Sequence, residues 1–237
     1  MTNNVKFEAM QQLFGYGNAK ARFWVVGLEE HCGDDDDIAA RIALRTANPQ
    51  KFLDREEFHR QLENLEPLEK VAVWRIAREI YRSAFDADTE VGRVDTQCSD
   101  LLLSEIMPLP RRQTNQWPTA YLDWFPNAKT YIKHARPIMV KRLIAMVKEH
   151  RPKVVLLHGK TQHNRWVHLR SSPLKDKWKN LVVINQTNRK LSWQYNDGTL
   201  WILTNNLVNN GFVNFGHEQI EQIADVIRKN IEISVNV

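Results

Sequence analysis

The chain has 237 residues, 43% of them hydrophobic, enough to enclose a full core, and a single domain over 1–237 is the simplest division. No run approaches the roughly 18 apolar residues of a membrane span, and Met1–Phe7 is polar rather than signal-like, so a cytoplasmic protein is expected. Cys32 and Cys98 are too few for a disulfide framework or a four-thiolate cluster. Charge is polarised: residues 1–106 carry 13 Lys and Arg against 20 Asp and Glu, whereas residues 107–237 carry 20 against 8. A basic half of that kind suits a polyanion, because every neutralised phosphate releases condensed counterions.

Residues 5–14 read as a short helix stopped near Gly15 and Gly17. A buried strand, Arg22–Leu28, then leads into Glu29 and Glu30; strand alternation points these two carboxylates in opposite directions. Asp34–Asp37 is an acidic run ahead of a helix over Ile38–Arg45, with Asp37 its expected cap; fitting ligand partners for a metal do not recur. Asp54–Leu65 and Pro67–Phe85 read as amphipathic helices. Phe58, Leu62 and Leu65 line one, and Val71, Trp74, Ala77, Ile80 and Tyr81 the other, with Trp74 and Tyr81 expected in the core.

Leu101–Ile106 is a second strand candidate, and Pro108 and Pro110 end its ladder ahead of Arg111 and Arg112. An aromatic segment with Trp117, Tyr121, Trp124 and Phe125 follows. Pro137 is expected to start a helix through Glu149, with Ile138, Leu143, Ile144 and Val147 inward. Lys153–Leu157 is a third strand, ended by His158-Gly159-Lys160, and Gln162–Leu169 a short basic helix. Leu181–Ile184 and Thr199–Thr204 are the last strands, hairpin-like across Asn196-Asp197-Gly198, and Gly216–Ile231 closes the chain as a helix. There are no repeats and no low-complexity linker. The alternation predicts an α/β fold, a three-layer α/β/α sandwich with a mainly parallel central sheet.

In such a sheet ligands gather beyond the carboxyl ends of the strands. Four polar tips meet there: Glu29/Glu30, Ser104/Glu105, His158/Lys160 and Asn205/Asn206. Carboxylate, hydroxyl, imidazole and amide groups beside basic residues fit an enzyme acting on nucleic acid. A passive binder has no use for carboxylates facing phosphate. Gly-x-Ser-x-Gly and Walker signatures are missing, and His158 and His163 are spaced off a shared helical face for a metal pair.

The order Gly27-Leu28-Glu29, Leu101-Leu102-Leu103-Ser104, Val154-Val155-Leu156-Leu157-His158-Gly159 and Asn205-Asn206-Leu207 resembles the uracil-DNA glycosylase superfamily over nearly the whole chain from about Gly15. In that family the acid or amide two residues beyond the first strand's glycine handles the hydrolytic water; the matching residue is Glu29, with Glu30 beside it. The uracil-reading asparagine falls on Ser104, and the terminal His-Pro-Ser-Leu loop on Asn205-Asn206-Leu207. The resemblance implies catalysis by Glu29, Glu30 and Asn206, and base recognition by Gly27, Ser104, Glu105, Trp117, Tyr121, His158 and Asn205. It further implies DNA contacts from Arg111, Arg112, Lys160, Arg165 and Leu207. It implies a monomer acting on DNA with no metal or other cofactor. The missing asparagine and histidine shift the expected substrate from uracil to a larger base, such as the glucosylated hydroxymethylcytosine of phage DNA, in an anti-phage role. The alternatives are an inactive nucleic-acid-binding module of the same fold and ordinary uracil repair.

Overall fold

The structure is a computed structural model and describes residues 3–62, 71–85, 100–112, 116–159, 179–184, 189–204, 207 and 216–235. In chain order it has α1 (Asn3–Gln12), β1 (Gly15–Gly17), β2 (Phe23–Glu29), α2 (Asp35–Ala47), β3 (Phe52–Leu53), α3 (Arg55–Gln61) and α4 (Ala72–Phe85). There follow β4 (Leu101–Met107), a 3-10 turn (Thr119–Tyr121), α5 (Ala128–His150), β5 (Val154–His158), β6 (Lys179–Ile184), β7 (Arg189–Asn196), β8 (Thr199–Thr204) and a last helix, α6 (His217–Val235).

Among the described residues eight strands form one sheet in the order β3-β1-β4-β2-β5-β8-β7-β6. Its centre, β4-β2-β5-β8, is parallel throughout; β1, β7 and β6 join antiparallel at the flanks. Both faces are covered, as continuous apolar strands require. Alternation in β2 shows why: Trp24 and Val26 enter one layer with Phe7 and Met10 of α1 and with Tyr131, Ala135, Met139 and Leu143 of α5. Phe23 and Val25 enter the other, with Ile76, Ile80 and Tyr81 of α4 and Ile220, Ile223 and Ile227 of α6. The α/β/α sandwich with a mostly parallel centre is therefore the fold.

Several boundaries differ from expectation, each for a local reason. Asp34, not Asp37, caps α2 by accepting from Asp37 N at 3.1 Å; the Asp37 carboxylate instead accepts from Gly33 N at 2.6 Å and from Arg41 Nε. Asp54 caps α3 through Glu57 N, and that helix ends at Gln61 rather than Leu65. α5 begins at Ala128, capped by Asn127, nine residues before Pro137, which sits inside the helix and leaves out one helical hydrogen bond. Ile138 points outward, 48% exposed, while Leu143 and Val147 are buried and Ile144 is partly so. Tyr81 is fully buried and Trp74 packs half-buried against the same layer. Gly15 and Gly17 form β1 instead of only stopping a helix. A Cβ on Gly15 would lie under 3.0 Å from the Leu103 carbonyl, so glycine is what lets β1 approach β4. The stretch ahead of Asn196 is strand β7, and Asp197 and Gly198, both at positive φ, turn it into β8; the hairpin is therefore β7–β8. Leu65, Cys98, the expected start at Pro67 and the basic helix over Gln162–Leu169 lie outside the described residues.

Candidate active site at the strand ends

The parallel order brings the carboxyl ends of β4, β2, β5 and β8 to one rim. β2 closes on Glu29, and Glu30 follows it. As alternation requires, the two carboxylates take different partners. Glu29 is 10% exposed and faces Arg111, whose Nη2 and Nε donate to its Oε2 at 2.6 and 3.1 Å. Glu30 is 14% exposed and accepts from Tyr16 Oη at 2.8 Å, from Arg41 Nη1 at 2.7 Å and from Arg45 Nη2. His59 Nε2 stands 4.0 Å away. Burial pushes the Glu30 carboxyl up, but Arg45 and Arg41, with His59 and the Tyr16 hydroxyl, outweigh it and hold it at about 2. Burial, then Glu30, push the Tyr16 hydroxyl above its ordinary range, so it is a permanent donor here.

The segment after β4 is pinned residue by residue. Its prolines end the ladder and leave backbone groups that need partners. Arg45 Nη1 donates to Pro108 O at 3.2 Å, and Leu109 N donates to Tyr131 Oη at 2.9 Å. Tyr121 Oη donates to Pro110 O at 2.7 Å, and Arg111 N donates to Glu30 O at 3.0 Å. The chain is thus drawn across the end of β2, and that crossing brings the Arg111 guanidinium to Glu29. Trp117 supports it from outside: Nε1 donates to Phe125 O at 2.8 Å, and the Arg111 guanidinium lies 5.9 Å from the ring centroid.

The structure separates the remaining candidates. Ser104 does not form a strand tip. β4 runs three residues further, and Ser104 Oγ is buried, donating to the Phe14 carbonyl, so it does not floor a base pocket. Tyr121 is fully buried and packs on Trp117 and Trp124, which removes it as a stacking platform; Trp117 is half-buried in the same cluster. Leu207 is fully buried in the layer under α4 and α6, so it is a core residue and not an exposed wedge. Arg111 is 5% exposed and committed to Glu29, which removes it from the phosphate-facing surface; Arg112 is exposed. His158 ends β5, 7% exposed, paired in register with Thr204. Gly27 lies opposite Glu105 in the β2–β4 register, and the Glu105 carboxyl occupies the space a Cβ on Gly27 would need. Asn205, Asn206, Lys160 and Arg165 lie outside the described residues.

Tyr16, Arg41, Arg45 and His59 belong to the site without having been singled out from the sequence. The available signal was Asp37, Arg41 and Arg45 at steps of four, a helix face whose cations can reach an acidic strand end. Among the described residues, no three His, Cys, Asp or Glu side chains are grouped to hold a metal ion, and no helix is long and apolar enough to cross a membrane. The chain matches no protein-family model and no curated protein.

Proposed function

We propose that the chain is a DNA glycosylase that hydrolyses an N-glycosidic bond with Glu29 as its catalytic carboxylate. The observation that carries this reading is the position of Glu29. It closes the central strand of the parallel core, on the rim where α/β folds take their ligands, in a fixed orientation set by Arg111. Cleavage of a C1′–N bond develops oxocarbenium character on the sugar, and an oriented carboxylate there stabilises the cation and accepts a proton from water. The Arg111 pairing leaves lone pairs on Glu29 for that water, since a carboxylate offers about four acceptor sites. The target base must leave the stack to be reached. The amides Asn205 and Asn206, standing where the resembled family has its uracil-stabilising histidine, favour a modified cytosine over uracil as that base.

A second reading, a nucleic-acid-binding module without chemistry, is favoured by one observation. Tyr121, expected to stack on the flipped base, is a core residue. One experiment separates the two. DNAs carrying uracil, hydroxymethylcytosine, glucosylated hydroxymethylcytosine or only normal bases are incubated with the protein and treated with alkali to cut abasic sites. The glycosylase reading expects excision of a modified cytosine, reduced at least about 100-fold by Glu29→Gln with DNA binding retained. Binding without cleavage of any of the DNAs would establish the second reading instead.

A further inference from the structure

Where β1 meets β4, a recess of about 20 Å³ is lined by Gly15, Tyr16, Glu30, Arg45 and Glu105 among others. That volume has room for one water molecule. Two of the lining side chains each carry an enclosed atom with no hydrogen-bond partner among the described residues, Glu105 Oε2 and Arg45 Nε. They are of complementary kinds. The arginine Nε–H can only donate, whereas a carboxyl can accept or, when protonated, also donate. An enclosed polar atom left without a partner is costly, and one water between the two would satisfy both.

The ionic surroundings fix which form of Glu105 belongs there. Glu29 closes β2 and Glu30 follows it, both acidic; from β1 comes the Tyr16 hydroxyl; from α2 come Arg45 and, through Glu30, Arg41; and from α3 His59 stands 4.0 Å from Glu30. Each guanidinium already has an acidic partner: Arg41 holds Asp37 and Glu30, Arg45 holds Glu30, and Arg111 holds Glu29. Among the described residues, Glu105 is the one glutamate of the three that no arginine pairs with. Burial first, then Glu30 and Glu29, push its carboxyl well above the ordinary range.

We propose that Glu105 is the proton-carrying carboxyl of the strand ends, a neutral acid joined to Arg45 through a single bound water in this recess. The site then divides its three glutamates into two that are bound by arginine and one uncharged acid that donates a hydrogen bond. Such separation of neighbouring carboxyls into charged and neutral members is how acid and base roles are assigned within one site. The inference does not rest on the proposed glycosylase activity.

Infrared difference spectroscopy of the folded wild type against Glu105→Gln at neutral pH tests the proton. The expected result is a carbonyl band of a protonated carboxylic acid, shifted down in heavy water and lost in the variant. No such band would overturn the proposal. A high-resolution crystal structure of the wild type tests the water without relying on the variant. A single water within hydrogen-bond distance of Arg45 Nε and Glu105 Oε2 is expected, and a direct contact between Arg45 Nε and Glu105 would overturn it. Stability gives the third reading. A carboxyl raised in the folded state contributes fully below its unfolded value, and that contribution is lost as pH rises through the folded value. Wild-type stability is therefore expected to fall more steeply than that of Glu105→Gln as pH rises from about 4.5, and matching curves would count against a neutral Glu105.

Discussion

The carboxyl ends of β2 and β4 enclose Glu29, Glu30, Glu105, Arg41, Arg45 and Arg111 within one connected region, while β5 and β8 are held by apolar packing. Every residue of Val154–His158 and Thr199–Thr204 is buried, and most are aliphatic or aromatic. The two regions share one sheet but obey different energetics. Apolar burial stabilises at roughly 25 cal/mol per Å² and tolerates exchange of one hydrophobe for another. Enclosed ion pairs add little net stability, since desolvation offsets their attraction, yet breaking one leaves a charge without a partner. What the ionic region gains is position: Arg111 and the segment 108–111 can dock in only one way.

The comparison is broken most sharply at Glu30. Glu30→Ala leaves Arg41 and Arg45 enclosed without their shared acceptor, and a loss of about 3–5 kcal/mol is expected in denaturant unfolding. The loss is also pH-dependent. The Glu30 carboxyl is held at about 2 against an ordinary 4.5, so its contribution is present above 4.5 and lost as pH falls toward 2. The variant should lack that acid-side decline. Leu156→Ala, in fully buried β5, is expected to cost about 2–5 kcal/mol through lost transfer energy and a cavity. That cost should not vary between pH 2 and 4.5, the window in which Glu30 titrates.

Two glycines sharpen the contrast on a smaller scale. Gly15→Ala drives a Cβ against the Leu103 carbonyl, which is backbone and cannot turn aside, so about 1–3 kcal/mol is expected from overpacking. Gly27→Ala meets only the end of the Glu105 side chain, which can rotate, and thermal unfolding should register a smaller loss. The smallest effect concerns Cys32. Burial first pushes its thiol up to about 12, so a thiol reagent at neutral pH should modify it in the native protein far more slowly than after unfolding.

The layered fold was legible because β2, β5 and β8 are apolar runs ended by polar residues, β4 opens on three leucines, and α4 carries its core residues in helical phase. Two elements were hidden by residues that usually mean something else. Pro137 reads as a helix start, yet Tyr131, Ala135, Met139, Leu143 and Val147 recur every four residues across it and mark one continuous face. β7 looks polar because its Ser192 and Gln194 are buried beside Leu191, so burial there does not follow hydrophobicity. The two strand-end carboxylates were visible as a pair. Their arginines were not, because Arg41 and Arg45 lie on a helix and Arg111 beyond two prolines, and only tertiary folding brings them to Glu29 and Glu30.

The sheet order has a consequence at its margins. Among the described residues one edge is the two-residue strand β3, and the other is β6, whose pairing with β7 shifts register between Lys179 and Val182. A second chain seeking to extend the sheet needs a long, straight row of unpaired amides and carbonyls. A two-residue strand is too short to template one, and an irregular register bends the other out of line. Among the described residues, the brevity of one border and the unevenness of the other leave the apolar parallel centre without a regular edge from which a filament could grow.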